Sequence, residues 1–322
     1  MASAMRDRAL GIVLGCIAAL VAGAVVAQDR YPSRPIEFIV PWGPGGGADQ
    51  VARKAGKMME EDLKVSFPVI NVPGATGNTG MAKLLAAPAD GYSVSVMTWD
   101  TYALLATTPS TRWSLKDLIP VALMIKQPSA FMVNTNGNLK TWADVEREAK
   151  TRPLKVAVTG FGSPDEITVN YFIARGLKLV AVPFANPGER YTAVLGGHAD
   201  LLYEQLGDVR SFLDSKQITP VIVFAEKRFD AFPNVPASTD LGFDITLPQR
   251  RAVVMKAGTD PAKVKVIADA LAKVAHSPEY KQYLKDQYAT DDSYFAGADA
   301  QRIMEEDLAQ MKKIAAQAMA KK

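Results

Sequence analysis

The residues of this chain best suited to holding a charged ligand run Val40-Pro41-Trp42-Gly43-Pro44-Gly45-Gly46-Gly47-Ala48-Asp49. Consecutive glycines open backbone conformations closed to other residues and leave main-chain N–H groups uncovered. At a helix start those N–H groups lack intrahelical partners and the helix dipole is positive, so an anionic group could sit there. Gly43 to Ala48 also fits the G-x-G-x-x-G/A dinucleotide pattern. The acidic residue which that pattern wants after the second strand is missing, because the strand over 65–72 ends in Asn71 and Glu60, Glu61 and Asp62 fall on the preceding helix. A turn that merely reverses the chain is the simplest alternative.

The residues for catalysis are sparse. There are two histidines, His198 and His276, and neither sits in an HExxH, a paired Cys/His metal spacing, a G-x-S-x-G elbow or an S-x-x-K. Ser163, in a second glycine turn, is the serine to test as a nucleophile. Its neighbours Asp165 and Glu166 supply no local histidine or lysine base, and Ser163-Pro164 with two acids reads as a helix start.

The elements that must position these turns follow from periodicity. Ile36 to Val40 is an apolar, β-branched strand bounded by prolines, and Val51, Ala55, Met58, Met59 and Leu63 recur at helical spacing after the glycines. A strand over 65–72, the small-residue turn Pro73 to Gly80, a helix with Met81, Leu84 and Leu85 on one face, and a strand from Tyr92 to Thr98 complete β-α-β-α-β, which implies a parallel doubly wound sheet. Ligands of such sheets bind at the carboxyl ends of the strands, so Gly45, Gly77 and Trp99 should gather on one edge. The cycle restarts after Pro128. A helix over 141–150, a strand over 155–159, the turn Gly160-Phe161-Gly162-Ser163, strands over 179–184, 199–203 and 220–225, and a helix over 205–213 make a second unit whose glycine turn mirrors the first. Arg251 to Lys256 returns to the first unit, and three amphipathic helices close the chain. Two such lobes across a cleft form a clamshell that closes on small ligands.

Composition bounds the compartment. Arg6 and Arg8 precede an uncharged run from Ala9 to Ala27 that ends in Val25-Val26-Ala27, a secretory leader cut before Gln28; a retained membrane anchor is the rival reading. The single cysteine, Cys16, lies in that run, where Val13-Leu14-Gly15-Cys16 loosely resembles a lipoprotein site with an ill-fitting leucine. Removing 27 of 322 residues leaves 295, one large domain or two ordinary ones, and lowers the formal charge from +3 to +2. That balance points to neither nucleic acid nor a membrane surface as partner.

Taken in order, Tyr31-Pro-Ser-Arg-Pro35, Val40-Pro41 with Gly45-Gly46-Gly47-Ala-Asp49 and Val51-Ala-Arg53, Pro73-Gly74 with Gly77-Asn78 and Gly80, and Asp90-Gly91-Tyr92 resemble the periplasmic solute-binding proteins of tripartite tricarboxylate transporters, the Bug family. Gly160-x-Gly162-Ser163, Val182-Pro183-Phe184, Leu195-Gly196-Gly197 and Pro233-x-Val235-Pro236 extend the likeness over nearly the whole chain beyond the leader. The resemblance implies a two-lobed Venus-flytrap α/β fold, with 28–128 and 251–322 as one lobe and 129–250 as the other. It implies a monomer that performs no chemistry, needs no cofactor or metal, and delivers a small carboxylate to integral membrane transporter subunits.

Carried onto this chain, the ligand carboxylate lies between Gly45–Asp49 and Gly160–Ser163, partly through water. The candidate ligand-binding residues are Trp42, Gly45, Gly46, Gly47, Asp49, Asn78, Thr98, Trp99 and Asp100 in the first lobe. In the second they are Gly160, Gly162, Ser163, Asp165, Phe184, Tyr203 and Glu204. Rim aromatics including Phe161 could stack on a flat acid. Two departures bear on the ligand: Pro164-Asp165-Glu166 stands where the family usually has serines and a histidine, and Glu204 where many members have aspartate. Asp165, Glu166 and Glu189 read as first-turn acids that complement helix dipoles and face solvent. If some of them face the cleft instead, the ligand is an amino acid or a cationic metabolite. An exported α/β hydrolase using Ser163 is the alternative from another class, and a dinucleotide-dependent oxidoreductase is a third.

Overall fold

The computed structural model describes residues 30–319. The leader expected at 1–27 and Cys16 lie outside them. Two mixed sheets form the frame. The first has the order β11-β4-β10-β3-β1-β2, with β1 Glu37–Val40, β2 Val69–Asn71, β3 Ser93–Thr98, β4 Leu118–Gln127, β10 Gln249–Lys256 and β11 Phe295–Ala296. The second has the order β7-β6-β8-β5-β9, with β5 Ser129–Asn134, β6 Leu154–Val158, β7 Leu179–Pro183, β8 Leu201–Gln205 and β9 Ile218–Phe224. Of the described residues, those from Arg34 onward make up one compact unit.

β1 lies between β2 and β3, parallel to both. Because both faces of a central parallel strand are covered, its apolar residues run on without alternation, and Phe38, Ile39 and Val40 are all fully buried. The parallel order read from the sequence holds for β1–β3 and for β6–β8, whereas β10 pairs antiparallel with both β3 and β4, and β5 antiparallel with β8 and β9. The sheets are mixed because the chain passes straight from β4 into β5 through Pro128, whose missing N–H ends the first ladder, and returns as β10 between strands already in place.

Three boundaries differ from the periodicity reading. The second strand shrinks to Val69–Asn71, since Pro68 supplies no ladder donor. β8 extends to Gln205 and postpones the next helix to Arg210–Asp214. Trp99–Tyr102 is a helical turn capped by Thr98 Oγ1. The closing helix Gly297–Met319 packs against both Leu104–Thr107 and Pro164–Ile173, so it touches elements flanking each sheet. Trp99 Nε1 and Arg250 Nε fix it through Asp307, at 2.8 and 3.0 Å.

Candidate functional site

The two glycine turns share one construction. Gly45 and Gly162 take φ of +86° and +81°, conformations that L side chains rarely adopt. Each N–H is accepted by a carboxylate four residues on, Asp49 Oδ2 at 3.0 Å and Glu166 Oε2 at 2.7 Å. Asp49 also accepts from Arg53 Nε and Asn71 Nδ2. Burial pushes its pKa up, but these donors outweigh burial and hold it below the usual carboxylate range. Asp49 and Glu166 therefore brace the turns, and the next residue of each, Gly46 or Ser163, caps the following helix.

The turns are pressed against the opposite lobe. Thr76 Oγ1 donates to Phe161 O at 2.8 Å, and Thr107 Oγ1 donates to Gly162 O at 2.9 Å. A Cβ on Gly46 would stand 2.7 Å from Pro187 Cγ, and one on Gly160 would stand 2.4 Å from Thr76 Oγ1. Between the lobes remains a cavity of ≈ 20 Å³, room for about one water. Trp42, Gly46, Gly47, Ala48, Thr98 and Asp100 line it on one side; Thr159, Pro187, Arg190, Glu204, Gln205 and Asp208 line it on the other, with Arg251 of β10. Thr159 also lines a second cavity, of ≈ 480 Å³, with Asn78, Gly160 and Phe161.

Charge is concentrated at the inner cavity. Arg190 pairs with Glu204 and Arg251 with Asp208, all four side chains buried. Arg190 also donates to Phe184 O at 3.0 Å, and Arg251 to Gln127 and Gln205. Asp100 accepts from Gln249 Nε2, and Asp165 Oδ2 accepts from the Thr159 N–H and hydroxyl, both at 2.8 Å. Burial raises the pKa of Asp100, and the Glu204 charge adds to it; burial and then Asp100 drive Asp165 well above the usual range. Burial pushes Asp208 up to about 6 against the opposing pull of Arg251. Burial works against the charge on Arg190, but the Glu204 carboxylate, with Tyr191 and Asp165 behind it, outweighs burial and holds the guanidinium charged.

A folded-state pKa raised above the unfolded value gives stability that is present at low pH and lost as pH rises through the folded value. The move of Asp208 from 3.8 to about 6 makes the protein with its lobes together about 1–2 kcal/mol more stable at pH 5 than at pH 8. Asp100 and Asp165 act in the same direction. Melting temperatures across that range should fall by a few degrees; a flat or rising profile contradicts the buried acid cluster.

Of the sequence-derived candidates, Trp42, Gly46, Gly47, Thr98, Asp100 and Glu204 meet at the inner cavity, and Asn78 and Gly160 at the second, which shares Thr159 with it. The others are placed differently. Trp99 is core, tilted against Tyr102, and Tyr203 stacks on Phe224 beneath Phe131, because each side chain points into its sheet's apolar layer. Phe184 packs on the second sheet's apolar cluster and offers the cavity only its carbonyl bond to Arg190. Ser163 is fully buried, its hydroxyl donating to Gly160 O and accepting from Glu166 N, a cap with no base beside it. Asp165 does not face solvent: it is 1% exposed. Glu189 is exposed and accepts from Asn186. Arg190, Arg251 and Asp208 went unnoticed in the sequence; the charges of Arg250-Arg251 at the head of an apolar strand were the available signal.

Two mixed α/β sheets, linked by the passage of β4 into β5 and by the return of β10, with a glycine turn of each facing the other across a buried charged cavity, have the architecture of a two-lobed periplasmic solute-binding protein. The chain belongs to the tripartite tricarboxylate transporter family receptors, whose profile matches residues 51–319. It is therefore a receptor and not an enzyme. It is 28% identical to Protein BugT of Bordetella pertussis over 261 residues, 79% of this chain and 80% of that one. Among solved structures it resembles an R. palustris protein with adipate, with TM-score 0.84 and 23% identity over 89% of this chain and 98% of that one. It also resembles MatC from Rhodopseudomonas palustris with bound malate, with TM-score 0.80 and 20% identity over 88% and 100%. At such identities these two structures share its fold.

Proposed function

We propose that the protein captures a small organic acid, a di- or tricarboxylate or an aromatic carboxylate, by lobe closure, and hands it to the integral membrane subunits of a tripartite tricarboxylate-type transporter. It works in the periplasm as a monomer cut after Ala27, with 28–128 and 251–322 as one lobe and 129–250 as the other. The observation that carries this reading is the face of the inner cavity that suits an anion. The Gly47–Leu63 helix presents an N-terminus without a side-chain cap, and Arg190 Nε and Arg251 Nε, from residues lining the same cavity, have no hydrogen-bond partner among the described residues. Main-chain donors at the positive end of a helix and two guanidinium edges together match a carboxylate. The adipate and malate in the names of two structural relatives are in keeping with it.

A thermal-shift screen of mono-, di- and tricarboxylates and aromatic acids, each with and without an amino group, tests the reading. An acid supplied at about a hundred times its Kd should stabilise the protein by about 2.7 kcal/mol, a shift of several degrees. No shift with any acid would remove the carboxylate.

A further inference from the structure

With room for about one water, the inner cavity must widen to admit a ligand; one part of its lining suits an anion, and the rest carries the opposite charge. Four buried carboxyl groups, Asp100, Asp165, Glu204 and Asp208, gather here against two guanidinium groups. Arg190 and Arg251 are already committed to Glu204 and Asp208. Among the described residues Asp100 and Asp165 have only the neutral hydrogen-bond partners Gln249 and Thr159, and Asp165 Oδ1 has none. Thr159 Oγ1 lies 3.4 Å from Asp100 Oδ1 and 2.8 Å from Asp165 Oδ2, so those oxygens are at most 6.2 Å apart, the sum of the two distances. Two unpaired carboxylates that close, away from water, repel each other strongly unless a proton or a cation stands between them. A dicarboxylate without a compensating group would add charge of the same sign.

We infer that the ligand is a zwitterion, a small carboxylic acid that also bears a protonated amine, with the ammonium seated against Asp100 and Glu204 and the carboxylate at Gly46–Ala48 and the free guanidinium edges. This rests on the carboxylate reading above and narrows it. An ammonium brings three donors and no acceptor, which suits a wall made of carboxylate oxygens and the Thr159 hydroxyl. Asp165, behind Thr159, strengthens the negative potential without touching the ligand. The arginines orient the other end, since each keeps an Nε–H for the ligand after its two terminal nitrogens are used within the protein. The competing arrangement has Asp100 and Asp165 protonated and donating to a second carboxylate of a plain diacid.

Titration calorimetry at pH 7.5 with matched probes separates them: aspartate with succinate, glutamate with glutarate, 2-aminoadipate with adipate, 4-aminobutyrate with butyrate, anthranilate with benzoate, and putrescine and benzylamine as amines without a carboxylate. At least one amino compound should bind about 100-fold or more tightly than its deaminated partner. Asp100→Asn should weaken that compound at least tenfold while leaving the deaminated partner unchanged or tighter. The change is isosteric and removes an unpaired buried charge, so the unliganded variant should melt no lower than the parent protein. Deaminated acids binding as well as or better than their amino partners, or Asp100→Asn weakening both alike, overturns the zwitterion and leaves the organic-acid reading standing. Binding of the amines alone, or of no probe, overturns both.

Discussion

Alanine at position 46 is expected to weaken ligand capture by about 10- to 100-fold without lowering the melting temperature of the unliganded protein. Gly46 has φ −80° and ψ 170°, open to any residue, so the substitution carries no backbone strain. Its new Cβ would meet the Pro187 ring at 2.7 Å, and a pyrrolidine ring has no rotamer by which to move away. Overpacking of this kind costs about 1–3 kcal/mol, which falls on the closed state alone because Pro187 flanks the other sheet. Titration calorimetry alongside thermal melting would check it. Affinity within threefold of the parent protein would mean that the turns do not meet in the bound form.

Arg190→Met is expected to have the largest effect on stability. It leaves the Glu204 carboxylate, 2% exposed, without its cation, and removal of one member of a buried pair costs about 3–5 kcal/mol. The same change strips Phe184 O of its donor. Denaturant unfolding should show the loss, and adding Glu204→Gln should recover most of it, since the penalty lies in the stranded charge. A single variant as stable as the parent would mean that water or another group already compensates Glu204.

Both glycine turns were legible because their requirements are local: left-handed glycines, helix-capping residues and strand-to-helix order leave a mark within ten residues. So was the return of β10, an apolar run after a stretch of turns. Strand alternation tells which residues share a face but not which face meets the other lobe, and for that reason Trp99 and Tyr203 looked like rim aromatics. Asp165 and Glu166 present the same local pattern of first-turn acids, yet one is buried at the cavity and the other braces Gly162 N–H. What distinguishes them is the folded turn itself, in which Asp165 reaches back to Thr159 and Glu166 to Gly162. Arg190 likewise sits in a helical first turn that reads as solvated until Glu204, fourteen positions on, is brought beneath it.

Capture of the ligand by lobes closing across the glycine turns can be followed as a change in the distance between them. The chain from Gln28 onward contains no cysteine, so Ser110→Cys and Glu189→Cys, exposed positions flanking the first and the second sheet, can be spin-labelled specifically. Pulsed dipolar spectroscopy on the unliganded protein should give a broad distribution reaching to long distances, and saturating ligand should collapse it to one narrow, short distance. The same distribution with and without saturating ligand would contradict closure as the mechanism of capture.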